Sequence, residues 1–318
     1  MKTKNKRILV AVDGSRQAMD TVRYVSQLVG PEATEVVLFH VISKASENLW
    51  DRPELAEIEE LSEASPWELH QEKKLQDFFD AAQNILVENG FSENMIVQQI
   101  HQRKQGIARD IIIEAREGYD CVVAGRVGMN PITRLVMGSV ASKLAATLTH
   151  TPLWLVGGTP DPRNVLVAID ASNETMQTVT HAGKLLRDGT TQITLFHVIR
   201  DMARAAMKPW AEPEGQASAT ELSDEELIRA KHTMVPVFER AAELLQKIGV
   251  AKDRISVKMI TGVATRGGTI YAQALHGGFG TIVMGRRGLS NVERFTLGRV
   301  SSKVLQLAGA MAVWVVSH

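Results

Sequence analysis

The strongest constraint on this chain is that it contains the same unit twice. Ile8 to Ile42 lies over Val165 to Ile199 without a gap, at an offset of 157 residues, and 15 of the 35 positions are identical. A second block, Cys121 to Lys143, lies over Thr281 to Lys303 at an offset of 160, with nine of 23 positions identical. Shared hydrophobic periodicity does not produce that many identities, so the fold must be one that a single unit adopts and then repeats. A length of 318 residues leaves room for two such units, given ~100–200 residues per domain. Between the copies stands Gly157 to Arg163, GGTPDPR, whose glycine and proline content reads as a linker. The expected domains are therefore residues 1–157 and 164–318.

Each copy opens on an unbroken apolar run, Ile8 to Val12 or Val165 to Ile169. A strand with one wet face would alternate, whereas a strand covered by helices on both sides reads as these do. Beyond Ser15, the apolar residues Met19, Val22, Val25 and Val29 recur at helical spacing, and Glu35 to Ile42 is strand-like again. Strand, helix and strand within so short a span make a βαβ crossover with parallel strands. Ser65-Pro66-Trp67-Glu68 has capping-box spacing with proline at the first helical position, ahead of a helix to about Glu88; Ser223 and Glu226 repeat that spacing. Strand Met95 to Ile100, helix Ile107 to Arg116, strand Cys121 to Ala124, helix Val140 to Leu148 and strand Leu153 to Val156 complete the unit. The fold class is α/β: five parallel strands per copy, doubly wound, in the expected order 3-2-1-4-5. The segments Ser43 to Ser65 and Arg200 to Leu222 lack pattern and read as solvated lids or partly helical flaps, with a docking surface as the alternative.

Charge and cysteine usage exclude several functions. Lys and Arg number 36 against 36 Asp and Glu, so the chain lacks the electrostatic footprint of a general nucleic-acid binder. The one cysteine, Cys121, cannot close an intrachain disulfide, which fits a reducing compartment and a cytoplasmic location. Cys121 starts an apolar strand and is expected to be buried and inert. No apolar run approaches the ~18 residues of a membrane span.

Gly125, Gly128, Gly138 and Ser139 form the pattern GxxG, nine residues, GS, directly after one strand and directly before a helix. Glycines there let main-chain amides approach a ligand, and the helix start favours phosphate oxygens. The plainer alternative is a loop in which glycine only turns the chain. In an open doubly wound sheet, ligands sit beyond the carboxyl ends of the strands where the winding reverses. Asp13, ending the first strand, and Gly125, ending the fourth, would flank that crevice. Asp13 there suits ribose hydroxyls; alternatively it caps the next helix, a role open equally to Ser15. Val41, ending the second strand, offers an apolar wall to a base. His40 and His197 recur at one strand end and are expected to be packed or hydrogen-bonded rather than catalytic.

With VAVDGS at Val10 to Ser15, HVI at His40 to Ile42, and the Gly125/Gly128/Gly138/Ser139 spacing, the chain resembles the universal stress protein family in its tandem form. The resemblance implies adenine and ribose contacts near Asp13 and Val41, phosphates on Gly128, Gly138, Ser139 and the backbone of Val140, and Arg126 within the same loop. It implies ATP, with AMP or ADP as alternatives, accompanied by Mg²⁺ or Mn²⁺. The second copy keeps Asp170, Val198, Gly285, Gly288 and Gly298, but Arg299 replaces the serine. A bulky cation at a helix start opposes the dipole. It either clamps phosphate together with Arg286 and Arg287 or fills the pocket, and weaker or absent ATP is expected in the second copy.

Walker A and GxGxxG are absent, as are HExxH and paired CxxC, so neither rapid phosphoryl transfer nor a dedicated zinc site is supported. The leading expectation is a nucleotide-binding regulatory module. An adenylate-forming or slowly hydrolysing enzyme of the wider adenine-nucleotide α-hydrolase group, and an interaction scaffold with vestigial crevices, are the alternatives. The last strands, Leu153 to Val156 and Val313 to Val316, are short apolar edges carrying Trp154 and Trp314 at equivalent places. Their pairing would make the chain an internal pseudo-twofold dimer, with a homodimer of chains a further possibility.

Overall fold

The computed structural model describes residues 6–42, 66–127, 137–172, 174–201, 223–288 and 297–317. Most of both flaps, Ser65 of the proposed first capping box, and Gly128 of the glycine loop lie outside the described residues.

The first half runs β1 (Lys6–Ala11), α1 (Arg16–Leu28), β2 (Thr34–Ile42), α2 (Pro66–Glu88), β3 (Ile96–Gln102), α3 (Ile107–Glu114), β4 (Cys121–Gly125), α4 (Ser139–Thr147) and β5 (Leu153–Val156). The second repeats it as β6 (Asn164–Ala168), α5 (Thr175–Leu186), β7 (Gln192–Arg200), α6 (Asp224–Ile248), β8 (Ile255–Val263), α7 (Arg266–His276), β9 (Thr281–Gly285), α8 (Arg299–Leu307) and β10 (Ala312–Val316). Among the described residues the strands form one sheet in the order β3-β2-β1-β4-β5-β10-β9-β6-β7-β8. Each half thus has the order 3-2-1-4-5, but the expected two sheets are one. β5 and β10 pair antiparallel with Trp154 opposite Trp314, so each half covers the other's apolar edge.

Alternation along the buried strands sends side chains into two cores. Ile8, Val10, Cys121, Val123, Trp154 and Trp314 face the layer of α1, α2, α5 and α6. Leu9, Val122, Leu155 and Val315 face α3, α4, α7 and α8. Both cores contain residues of both halves, which explains why the interior is nearly continuous across the β5–β10 seam.

Local signals account for the helix starts. Ser223 Oγ accepts from Glu226 N (3.2 Å) while Glu226 returns a carboxylate to Ser223 N (2.8 Å), a complete capping box for α6. The stretch read as a linker is packed: Gly157 N donates to Met311 O (3.1 Å), and the Gln17 side chain bonds Gly158 N, Gly158 O and Val156 O at 3.1–3.2 Å.

At the seam the two indoles stack with centroids 3.6 Å apart. Trp314 Nε1 donates to Tyr24 Oη (3.0 Å), and Trp154 Nε1 donates to His181 Nε2 (3.1 Å). Tyr24 and His181 are equivalent at the repeat offset of 157, so one pseudo-symmetric position uses two different acceptors.

Candidate functional site

The adjacency of β1 and β4 builds the first crevice. Ala11 pairs with Ala124, so Asp13 and Gly125 leave neighbouring strands at the same end of the sheet. Asp13 Oδ1 accepts from Ser15 N (3.0 Å), and Ser15 Oγ accepts from Ala18 N (3.1 Å). Ser15 is therefore the cap of α1, and Asp13 Oδ2 takes no hydrogen bond from the described residues. Gly138 N donates to Arg126 O (2.9 Å), closing the base of the glycine loop, and α4 begins at Ser139 without a side-chain cap. The first-turn amides, including Val140 N, have no intrahelical acceptor, and Ser139 is exposed. Gly125 allows a close approach, since a Cβ there would stand 3.1 Å from Gln17 Cγ. Val41 is buried at the end of β2.

The second half repeats this frame and leaves it open. The ends of β6, β7 and β9 and the starts of α7 and α8 surround a cavity of ≈ 730 Å³, a size typical of small-molecule sites. Asp170 Oδ1 accepts from Ser172 N (3.0 Å) and from the Thr175 hydroxyl (2.9 Å), which holds the carboxylate in place. Its Oδ2 lies against Gly288: a Cβ at that position would stand 2.7 Å from it, so a larger residue there would push the carboxylate aside. Gly298 N donates to Arg286 O (2.9 Å), as Gly138 does in the first half. Gly285 and Gly298 both line the cavity, and Val198 supplies a buried apolar wall beside Phe196.

Two arginines depart from the sequence reading, and a third is left with one of its two alternatives. Arg126 is 1% exposed and its Nη2 reaches Gln306 O of α8 (3.4 Å), so it lies in the seam between halves rather than at a phosphate. Arg286 is likewise 5% exposed, donating to Ala145 O (2.5 Å) and Leu148 O (2.8 Å) at the C-terminus of α4. Burial lowers the Arg286 pKa to about 10, with Arg287 adding to the effect. Both residues sit inside a glycine loop by sequence, yet the end of a central strand aims them at the neighbouring half. Arg299, by contrast, is exposed at the cavity edge, so it does not fill the pocket.

His40 and His197 have a common role. Their Nδ1–H groups donate to Val12 O (2.8 Å) and Ile169 O (2.7 Å), tying the end of one strand to the next. Burial depresses the His197 pKa, which keeps the ring neutral against the cavity. The Cys121 thiol is fully buried and its pKa is pushed well up by that burial.

Some site residues were not legible as such. Ser301 is buried and its hydroxyl donates to Gly285 O (3.0 Å), fastening the second glycine loop; its only sequence signal was a hydroxyl where the first copy has Ala141. Arg200, Arg266 and Lys303 also line the cavity, although they are scattered along the sequence and carry no motif.

Comparison with known proteins agrees with this architecture. The universal stress protein family matches residues 4–156 and again 162–317. A universal stress protein of Mycolicibacterium smegmatis is 25% identical over 180 residues, covering 55% of this chain and 58% of that protein, so the chain matches little more than half the length of that curated relative. Among solved structures, a universal stress protein from Archaeoglobus fulgidus DSM 4304 superposes with a TM-score of 0.60 at 16% identity, covering 98% of each chain. A second structure, from Pseudomonas aeruginosa UCBPP-PA14, gives a TM-score of 0.56 at 14% identity, with 98% of this chain and 93% of that one covered. At such identities the structural likeness concerns the fold, but the double family match spans nearly the whole sequence. The chain belongs to the universal stress protein family, with two copies of the family unit in tandem.

Proposed function

We propose that this chain is a nucleotide-binding regulatory module of the stress response, built from units at residues 1–157 and 164–318 that work as an internal dimer. The observation that carries the reading is the uncapped start of α4, with exposed Ser139, at the same sheet end as an Asp13 carboxylate that keeps one oxygen open. An anion is favoured where main-chain amides converge at a positive helix end, and a carboxylate suits sugar hydroxyls. The first half is the competent ATP site in this reading, with Asp13 and Val41 toward the nucleoside and Gly128, Gly138, Ser139 and Val140 toward the phosphates. The second half lacks the seryl hydroxyl and is not its equal.

Among the described residues no group of three or more His, Cys, Asp or Glu side chains could hold a metal. A Mg²⁺ or Mn²⁺ ion would accordingly be carried mainly by phosphate oxygens, where it neutralises charge, in keeping with the way Mg²⁺ usually binds nucleotides. Nothing in the loop resembles the parts that drive rapid phosphoryl transfer, so occupancy rather than turnover is the signal, with the protein acting in the cytoplasm. Such a signal requires different ligand affinities in two conformations.

The test is calorimetric titration of ATP with Mg²⁺, alongside mass spectrometry of small molecules released from the denatured protein. Ser139→Ala should weaken ATP about tenfold, the value of one hydrogen bond. No ATP binding in the wild type, or steady product release that Ser139→Ala abolishes, would replace this reading with a scaffold or an enzyme respectively.

A further inference from the structure

The second crevice carries charge that the matching positions of the first copy lack. Five cations line the second cavity, Arg200, Arg266, Arg287, Arg299 and Lys303, against two carboxylates, Asp170 and Glu174. In the first copy the matching residues are Ser43, Ile107, Val127, Ser139 and Lys143, with Ile107 and Arg266 matched as the first residues of α3 and α7. Four of the five cations are therefore particular to the second half. Cations scattered over a surface mean little, but these four come from four separate chain segments and meet at one opening. None of the five side chains has a hydrogen bond or ion pair with the described residues. Gathering like charges around a cavity is unfavourable unless an anion offsets it.

Resting on the nucleotide-binding reading, we propose that the second crevice binds a nucleoside polyphosphate without a divalent ion, arginine side chains supplying the counter-charge. Phe196 and Val198 form the apolar side of the cavity, and Asp170 stands at the sugar position equivalent to Asp13. Arg299, at the start of α8, replaces a single hydroxyl donor with a planar fork of donors matched to phosphate oxygens. Arg287, immediately before Gly288, brings a second fork to the same opening. A guanidinium at each place takes over the neutralising role that a metal ion plays at a site lined by serine and valine. Nucleotides with more phosphate charge should bind more tightly here, and the attraction should weaken as salt rises.

The experiment is titration of the full-length chain with ATP and with AMP, in Mg²⁺ and in EDTA, at 50 mM and 300 mM salt as order-of-magnitude settings about the screening range. Two binding events are expected in Mg²⁺, and one that survives EDTA, prefers ATP over AMP and weakens with salt. The double substitution Arg287→Val and Arg299→Ser installs the residues of the first copy, which this same fold already accommodates. It should weaken the EDTA-resistant event about a hundredfold, the loss of two charge-assisted contacts, while leaving the Mg²⁺-dependent event in place as evidence of folding. Absence of EDTA-resistant binding, or its persistence at full strength in the double variant, overturns this proposal. Loss of only the Mg²⁺-dependent event in Ser139→Ala concerns the first half, so the two readings fail separately.

Discussion

Acidification should destabilise this protein through His181. Its Nε2 accepts a hydrogen bond from Trp154 Nε1 at 3.1 Å, which requires a lone pair on that nitrogen. An imidazolium has no such lone pair, and its charge would lie in the seam against two stacked indoles, with the Lys184 cation on its own helix. Burial first and Lys184 second lower the His181 pKa from 6.5 to about 3. The unfolded chain therefore takes up this proton at a higher pH than the folded one. Stability is complete above pH ~6.5, and declines as pH falls toward 3, by about 5 kcal/mol in total, from ~1.4 kcal/mol per pKa unit. Between pH 7 and pH 5 the same linkage gives about 2 kcal/mol. Urea denaturation followed by circular dichroism at pH 7, 6 and 5 measures this directly, provided the slope with denaturant stays constant. His181→Gln keeps an acceptor oxygen but does not titrate, so carboxylates common to both proteins cancel in the difference. Wild type should lose about 2 kcal/mol more than the variant over that interval. Parallel pH profiles would show that the seam does not hold this histidine neutral.

Three further outcomes follow from the geometry. Arg286→Met removes two charged hydrogen bonds to the end of α4 and should cost about 3 kcal/mol, whereas Arg126→Met should be near neutral because Nε and Nη1 of Arg126 have no partner. Equal losses in urea denaturation would contradict this asymmetry. Gly288→Ala places a Cβ 2.7 Å from Asp170 Oδ2 and should displace the carboxylate, weakening ligand binding in the second half while sparing the first; unchanged calorimetric titration of the second site would refute it. Ser223→Ala breaks the capping box of α6 and should lower stability by about 1 kcal/mol, and a change below ~0.3 kcal/mol would mean the cap contributes nothing to folding.

Much of the frame was legible because the period of the apolar residues is set by local geometry. Leu153 to Val156 has the same bounds as β5, and Ile107 and Cys121 begin α3 and β4 where the pattern places them. At the site, Asp13, Gly125, Gly138 and Ser139 could be located because they punctuate strand ends and a helix start. Side-chain direction could not be read in the same way. Arg126 and Arg286 stand beside glycines in the sequence, but the seam between halves draws their guanidinium groups inward, toward the ends of α8 and α4. For Arg299 the sequence is compatible with two opposed outcomes, because a long side chain at a helix start can lie over a pocket or stand out of it.

The sequence by itself determined the repeated unit, its alternation of strands and helices, and the glycine positions at the helix starts, since all of these follow from short-range periodicity and turn chemistry. Only the tertiary structure decided the strand order and the antiparallel register of β5 and β10, that Trp154 finds His181 where Trp314 finds Tyr24, and that Arg200 and Arg266 share one cavity with Arg287 and Arg299. Those contacts depend on register and side-chain direction across elements far apart in the chain, and no local pattern encodes either.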